Sequence, residues 1–442
     1  MVKFSDSASA SRDKETQMSR KMVVVGAGMV GVSVAWHLSQ RGHQVTLVDR
    51  REPGRETSYG NAGIIQREAV RPYAFPRDLG TLLRVAPNRQ IDIRYRPGAM
   101  MANAGTLLKY WQHSAPARYE RIVPEYASLI SGCIDAHAAM IAASGAEELI
   151  RRDGWLEVYR SEAELTARYA QAQADAQSFG IRFKRLDRAE LAQLEPGLAS
   201  GAGNDSGKGL AGAIHWLDPW TVASPGDLVA AYARSFVESG GEIVQANVDA
   251  VERTGQAWRV SLGGGAVSRQ LDADGLVMAL GPWTQEWMTA LGLRIPLFVK
   301  RGYHMHYAQP DERALGHWVM DAEVGYLLAP MRQGVRLTTG AELERLEAPA
   351  HLDQLEAAER KARELFPLGQ RLESTPWKGA RPCTPDMKPV IGPVPGQDGL
   401  WLACGHGHQG FTLGPVTGKL LTQLIEGEPA DIDMTPFRVD RF

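Results

Sequence analysis

Apolar residues open the chain's ordered pattern in two short runs, with a helically spaced stretch between them. Residues 22–25 (MVVV) form a continuous apolar run, as in a strand buried on both faces. Residues 32–40 have helical spacing and stop at Gly42, and 45–48 read as a second buried strand. Gly26, Gly28 and Gly31 sit between the first strand and the helix in the order G-x-G-x-x-G. Further helices are predicted over 117–148, 162–179, 224–239, 351–365 and 414–425. Strands are predicted at 154–159, 241–244, 258–262 and 276–280, with strand-rich stretches at 295–307, 325–339 and 377–411. Gly263, Gly264 and Gly265 read as a hairpin turn. Residues 56–65 (ETSYGNAGII) are too rich in small residues for a helix, and 196–212 reads as a loop. Residues 67–116 have weak periodicity, so an irregular region with one short helix near 107–112 is expected.

Composition narrows the class. The 442 residues carry a net charge of -2, with 44% apolar and 23% charged residues. That balance gives no electrostatic footing for nucleic acid and ample material for a core. Cys133, Cys383 and Cys404 form no C-x-x-C pair and no even framework, which fits a reducing cytoplasm. Residues 1–21 are polar and serine-rich without an apolar core, so they read as a flexible tail. No apolar run is expected to be long enough to cross a bilayer, which leaves only a peripheral contact with the inner membrane open.

The glycine motif has its full context. Gly26 allows the tight turn, Gly28 lets a pyrophosphate approach the backbone, and Gly31 lets helix and strand pack closely. Asp49 closes the second strand, where a carboxylate can bind a ribose hydroxyl pair. Residues 400–421 repeat the logic as strand, glycine-rich turn and helix. A plain NAD enzyme has no evident use for this second cluster. A flavin dinucleotide does, because a helix N-terminus favours the negative charge of a reduced isoalloxazine. His406 and His408 form an H-x-H pair, discounted as a metal site for want of a third ligand.

Four segments resemble the D-amino-acid oxidase (DAO) superfamily of flavoproteins, above all its bacterial D-amino-acid dehydrogenases and more distantly glycine and sarcosine oxidases. They are VVVGAGMVGVSVAWHLSQRGHQVTLVD, ETSYGNAGII, WKGARPCTPDMKPVIG and ACGHGHQGFTLGPVTGKLL, supported by LVMALGPWTQEWMTALG. The resemblance spans nearly the whole chain beyond residue 21. It implies an α/β protein of glutathione-reductase-like fold, with a Rossmann-type FAD-binding domain interleaved with an α+β substrate domain on a mostly antiparallel sheet. The expected FAD domain comprises 22–66, 213–292 and 374–442. The substrate domain comprises 67–212 and 293–373, with 67–116 as a lid or acceptor-facing insertion.

By the same resemblance, Arg381 in the G-x-R-P-x-T-P-D segment binds a substrate carboxylate, a task suited to a bidentate guanidinium. Tyr326 is matched to the family's substrate tyrosine, with Glu342 facing the same region and Tyr303 and His304 as further candidates. The cofactor set is Gly26, Gly28, Met29, Gly31, Asp49, Arg50, Ser58, Asn61, Ala62, Gly63, Val248, Gly281 and Trp283, then Gly405, His406, Gly407, His408, Gln409, Gly410, Phe411 and Thr412. Sarcosine oxidases tether flavin through a cysteine where Gly379 stands here, so noncovalent FAD is expected. The implied reaction is oxidative deamination of a D-amino acid, with hydride passing from Cα to flavin N5. An imino acid, then a 2-oxo acid and ammonia follow, and electrons go to a quinone or another non-oxygen acceptor. Alternatives are a secondary or cyclic amine substrate, a flavin-binding subunit inactive without partners, and an NAD-dependent reductase.

Overall fold

The computed structural model describes residues 19–199, 209–263, 269–310 and 314–442. The chain has an α/β fold built on a six-stranded sheet and a ten-stranded sheet. The smaller sheet runs in the order Glu242–Gln245, Gln44–Asp49, Lys21–Val25, Gly275–Met278, Leu400–Cys404, Val390–Pro393. All pairs are parallel except the last. Its strands come from three separated stretches of chain, and strands of the larger sheet lie between them in sequence. Helices Met29–Gln40, Gly410–Glu426 and Pro225–Glu238 supply the apolar residues on one face, among them Val32, Leu38, Leu421 and Phe236. A three-stranded sheet, Asn247–Thr254, Ala257–Gly263 and Arg269–Ala273, covers the other face with Trp258 and Val260.

The helices Met29–Gln40 and Gly410–Glu426 lie against each other through glycine. A Cβ at Gly418 would stand 2.6 Å from the Ser33 carbonyl oxygen, and one at Gly414 would meet Met29 at 2.5 Å. This close approach brings the two glycine-rich turns, at 26–31 and 405–410, to the same edge of the sheet.

The larger sheet is mostly antiparallel. Strand Phe298–Tyr307 lies at its centre of interest, pairing with Gly334–Thr339, Ala341–Leu343 and Trp377–Cys383. Helix Asp353–Leu365 closes its far face over Tyr303, Tyr326 and Leu328.

Several elements differ from the sequence expectation. The first helix begins at Met29, three residues early, because Gly28 itself is the cap. The last begins at Gly410 and carries Pro415 inside it, and the Phe411 carbonyl that Pro415 leaves without an amide meets His137 at 3.0 Å instead. The 117–148 helix is two helices, Pro116–Ser131 and Cys133–Ser144, divided at Gly132. By length and composition this combined stretch is apolar enough to cross a bilayer, against expectation. Its apolar residues are spent inside the protein, with Leu129, Ile130, Cys133 and Met140 wholly buried. The region 67–116 holds three short helices, Leu79–Val85, Pro97–Ala102 and Ala104–His113, instead of one. The first buries no residue, so no core-facing stripe marked it in the sequence. Strand Phe183–Asp187 escaped notice because it is a largely polar edge strand. The segment read as a loop starts with a short helix, Pro196–Ala199, and ends by entering strand Gly212–Trp216. Residues 1–18 of the expected tail and Gly264 and Gly265 of the expected hairpin turn lie outside the described residues, whereas Lys21 is already paired with Gln44.

Candidate active site and dinucleotide cradle

Parallel strands end at the edge where the helix N-termini gather, and a cavity of about 240 Å³ opens there. Its walls join the two glycine clusters: Gly26, Gly28 and Met29 from the first, and His406, Gly407 and Gly410 from the second. Asp49, Arg50, Ser58, Val248, Gly281 and Trp283 complete the expected lining residues.

The geometry is that of a cradle. Gly26 takes φ 107°, a conformation side chains disfavour, and a Cβ there would stand 2.4 Å from the Ala279 carbonyl oxygen. Asp49 accepts from the Ala27 amide at 2.6 Å and the Arg51 amide at 3.0 Å, so its carboxylate is tied to the turn. Burial nevertheless raises its pKa, outweighing the two amides. The Arg50 guanidinium lies 4.3 Å over the Trp283 ring, a flat pair at one end of the cavity. At the other end His406 Nε2 contacts Thr417 Oγ1 at 3.0 Å, and burial depresses its pKa to about 3. His406 is therefore neutral, and the helix N-terminus beside it provides the local positive field. No metal-binding cluster occurs among the described residues.

The other expected cofactor residues build the walls. A Cβ at Gly31 would lie 1.7 Å from the Gly26 carbonyl oxygen, so this glycine seats the helix on the turn. Asn61 Oδ1 accepts from the Gly63 amide, and the Ala62 carbonyl receives the Trp318 indole. The Phe411 carbonyl meets His137 at 3.0 Å, Thr412 Oγ1 accepts from the Gln66 amide, and Gly405 takes φ 75° in the turn. His408 and Gln409 line a second cavity of about 880 Å³. Sequence reasoning missed Ala246, Leu280, Pro282, Trp287, Ala403 and Cys404 in the first cavity. Most follow directly after a parallel strand or close it, so the strand ends were the available signal.

Arg381 itself lines neither cavity. Its neighbour Pro382 lines the first, while the phenol of Tyr73, which lines the second, feels the charge of Arg381. Register sets Lys300 opposite Arg381 and Gly302 opposite Gly379. The guanidinium lies over Gly302, where a Cβ would meet Arg381 Nη2 at 2.6 Å, and Nη1 donates to the Gly340 carbonyl at 3.1 Å. Lys300 Nζ contacts Tyr110 Oη at 3.0 Å. Neither cation has a carboxylate within ion-pair distance among the described residues. Burial lowers the Arg381 pKa, the mark of a cation lacking its anion.

Strand alternation separates the expected tyrosines from Arg381. In Phe298–Tyr307 the even positions Lys300, Gly302 and His304 share Arg381's face, and the odd ones point away. Tyr303 Oη donates to Glu342 at 2.5 Å, and Glu342 accepts from the buried Arg301 at 2.7 Å. Both belong to a closed ion-pair network. Tyr326 faces helix Asp353–Leu365 and donates to the Lys361 carbonyl at 3.4 Å. His304 is on the correct face, but its ring stacks on Trp377 at 4.9 Å, and burial takes its pKa down to about 2. None of the four lines either cavity. Tyr73, in T-shaped contact with His408 at 4.5 Å, lines the second cavity and feels the charge of Arg381.

Comparison with known proteins agrees with this architecture. The family model described as FAD dependent oxidoreductase (DAO) matches residues 21–424. A D-amino acid dehydrogenase of Cereibacter sphaeroides is 30% identical over 96% of this chain and 95% of that relative. A protein of the same name from Chromohalobacter salexigens is 29% identical over 96% of this chain and 99% of its own length. Among solved structures, glycine oxidase from Geobacillus kaustophilus superposes with TM-score 0.69 at 20% identity, covering 96% of this chain and 99% of that one. L-proline dehydrogenase from P. horikoshii gives 0.68 at 17%, covering 96% and 98%.

Proposed function

Since this chain belongs to the DAO family of FAD-dependent oxidoreductases, we propose that it oxidises D-amino acids at Cα and passes the electrons to a non-oxygen acceptor. The observation that carries the reading is Arg381, a half-buried guanidinium with no carboxylate partner among the described residues, next to Pro382 in the wall of the dinucleotide cradle. A substrate carboxylate supplies the missing anion, and a bidentate pair fixes its orientation as well as its position. Lys300 adds a second positive charge beside Arg381. Tyr73 and His408 form a wall beyond it, and burial holds His408 neutral with a pKa near 3, so that wall does not repel a cationic amine.

FAD, held by the two glycine turns and Asp49, supplies two-electron oxidising capacity. The chain's own groups position the substrate. The described side chains include no ionised base at Arg381, and the reading uses none. Net turnover converts the amino acid and water into a 2-oxo acid and ammonia, with two electrons and two protons carried to the acceptor. Gly379 has no thiol, and the Trp377 ring fills the space its side chain would occupy, which supports a noncovalent cofactor.

The test is the visible spectrum of the yellow protein during anaerobic addition of D-amino acids, their L-isomers, sarcosine and D-proline. Bleaching by D-isomers and not L-isomers is expected. Bleaching by sarcosine or D-proline alone moves the substrate to secondary amines, and no bleaching by any amine removes the reading.

A quinone in a membrane is the proposed acceptor. Leu79, Leu83, Met101 and Leu108 stand exposed on the short helices of 67–116, among Arg77, Arg84, Arg89 and Lys109. Exposed apolar residues interspersed with cations suit an anionic lipid surface. The protein is expected to co-sediment with phosphatidylglycerol vesicles and not with phosphatidylcholine vesicles, and Leu79→Glu with Leu83→Glu should release it. Failure to sediment with either vesicle removes the membrane contact.

A further inference from the structure

The second cavity has an acidic lining. Six carboxylates line it against three guanidiniums. Three of those acids are matched: Glu157 by Arg168 at 3.1 Å, Asp175 by Arg71 at 2.7 Å and Asp92 by Arg84 at 2.8 Å. Glu323 accepts from the amides of Arg160 and Ser161, and Glu164 is exposed to water.

Glu68 is different. It is 7% exposed and has no basic partner among the described residues. Its Oε1 takes the Gln66 amide and the Trp155 indole, both at 3.0 Å, and Oε2 takes nothing. It is the one buried carboxylate oxygen of this wall without a hydrogen bond, and leaving it so costs free energy that a ligand can recover. Burial pushes its pKa up to about 7, as expected for a carboxyl deprived of a cation. Gln66 also holds Gln409, the residue that follows His408 in the second glycine turn, so Glu68 is tied to the cradle's rim. Tyr73, on the same cavity wall as Glu68, carries a phenol that feels the charges of Glu157, Arg168, Glu68 and Arg381.

We infer that the favoured substrate carries a cationic side chain, and that Glu68 receives this cation in the second cavity while Arg381 holds the carboxylate. Glu68 is thus a specificity-determining residue. The inference rests on the carboxylate anchor proposed above.

Titration calorimetry of the FAD-loaded protein with δ-guanidinovalerate and with valerate tests it without turnover, since neither has an α-amine to oxidise. The guanidino acid should bind about tenfold more tightly or better, the scale of one formed charge pair. Glu68→Gln, an isosteric change, should erase that preference and leave valerate affinity unchanged. Equal affinities in the wild type, or a preference that survives Glu68→Gln, would overturn the inference and leave the D-amino-acid reading standing. If valerate fails to bind at all, the anchor at Arg381 falls and the inference falls with it.

Discussion

Arg381→Ala loses turnover of every amino acid by about a hundredfold or more while the purified protein stays yellow. Removing one member of a buried, hydrogen-bonded charge pair costs about 2–5 kcal/mol, and here the pair forms only when the substrate carboxylate arrives. The loss should therefore fall on kcat/KM, with KM rising steeply. Flavin content should not change, because Arg381 lines neither wall of the dinucleotide cavity. Stability should hold or rise slightly, since the substitution removes a half-buried cation whose side chain makes one hydrogen bond among the described residues, to the Gly340 carbonyl. Arg381→Lys keeps the charge and loses the two-pronged geometry, so it should recover part of the lost efficiency. Steady-state rates with the visible absorbance of each variant decide the matter. Full activity in Arg381→Ala would remove the anchor, and loss of colour would mean that the residue serves the cofactor.

The cradle was legible because its information is local. Gly26, Gly28, Gly31 and Asp49 lie within one strand–helix–strand unit, and each is specified by a turn, a close approach or a strand end. The pairing of that unit with the turn at 405–410 was also readable, because a second strand–turn–helix pattern needs a reason. The substrate side was less legible. Tyr326 and Tyr303 were matched by motif, but side chains alternate along a strand, and a displacement of one residue reverses the face. Only the pairing of Lys300 with Arg381 and of His304 with Trp377 shows which face carries Arg381. Tyr73 and Glu68 could not be found from sequence at all. They stand in a stretch without periodicity, and the cavity wall they share with His408 and Gln409 is assembled only by the fold.

Gly28→Val and Gly31→Val, three residues apart, should fail in different ways. Gly28 has φ -74°, which any residue adopts, and the nearest atom to an added Cβ is Ser58 Oγ at 3.4 Å. The protein itself tolerates that side chain, at about 1 kcal/mol for a poorer helix cap. The cavity does not, because Gly28 lines it where a pyrophosphate meets the helix N-terminus. Gly28→Val should be soluble, cooperative in melting and colourless, with a melting temperature near that of wild type stripped of flavin. At Gly31 the Cβ would stand 1.7 Å from the Gly26 carbonyl oxygen, and backbone cannot step aside as a flexible side chain can. Helix Met29–Gln40 would have to lift from both its strand and helix Gly410–Glu426, so a loss of about 3 kcal/mol or more is expected, with little soluble protein. Differential scanning calorimetry with flavin-to-protein ratios separates the two outcomes. A yellow Gly28→Val protein would show that the phosphates bind elsewhere, whereas a stable Gly31→Val protein would mean that the turn and helix are less tightly seated than their geometry requires.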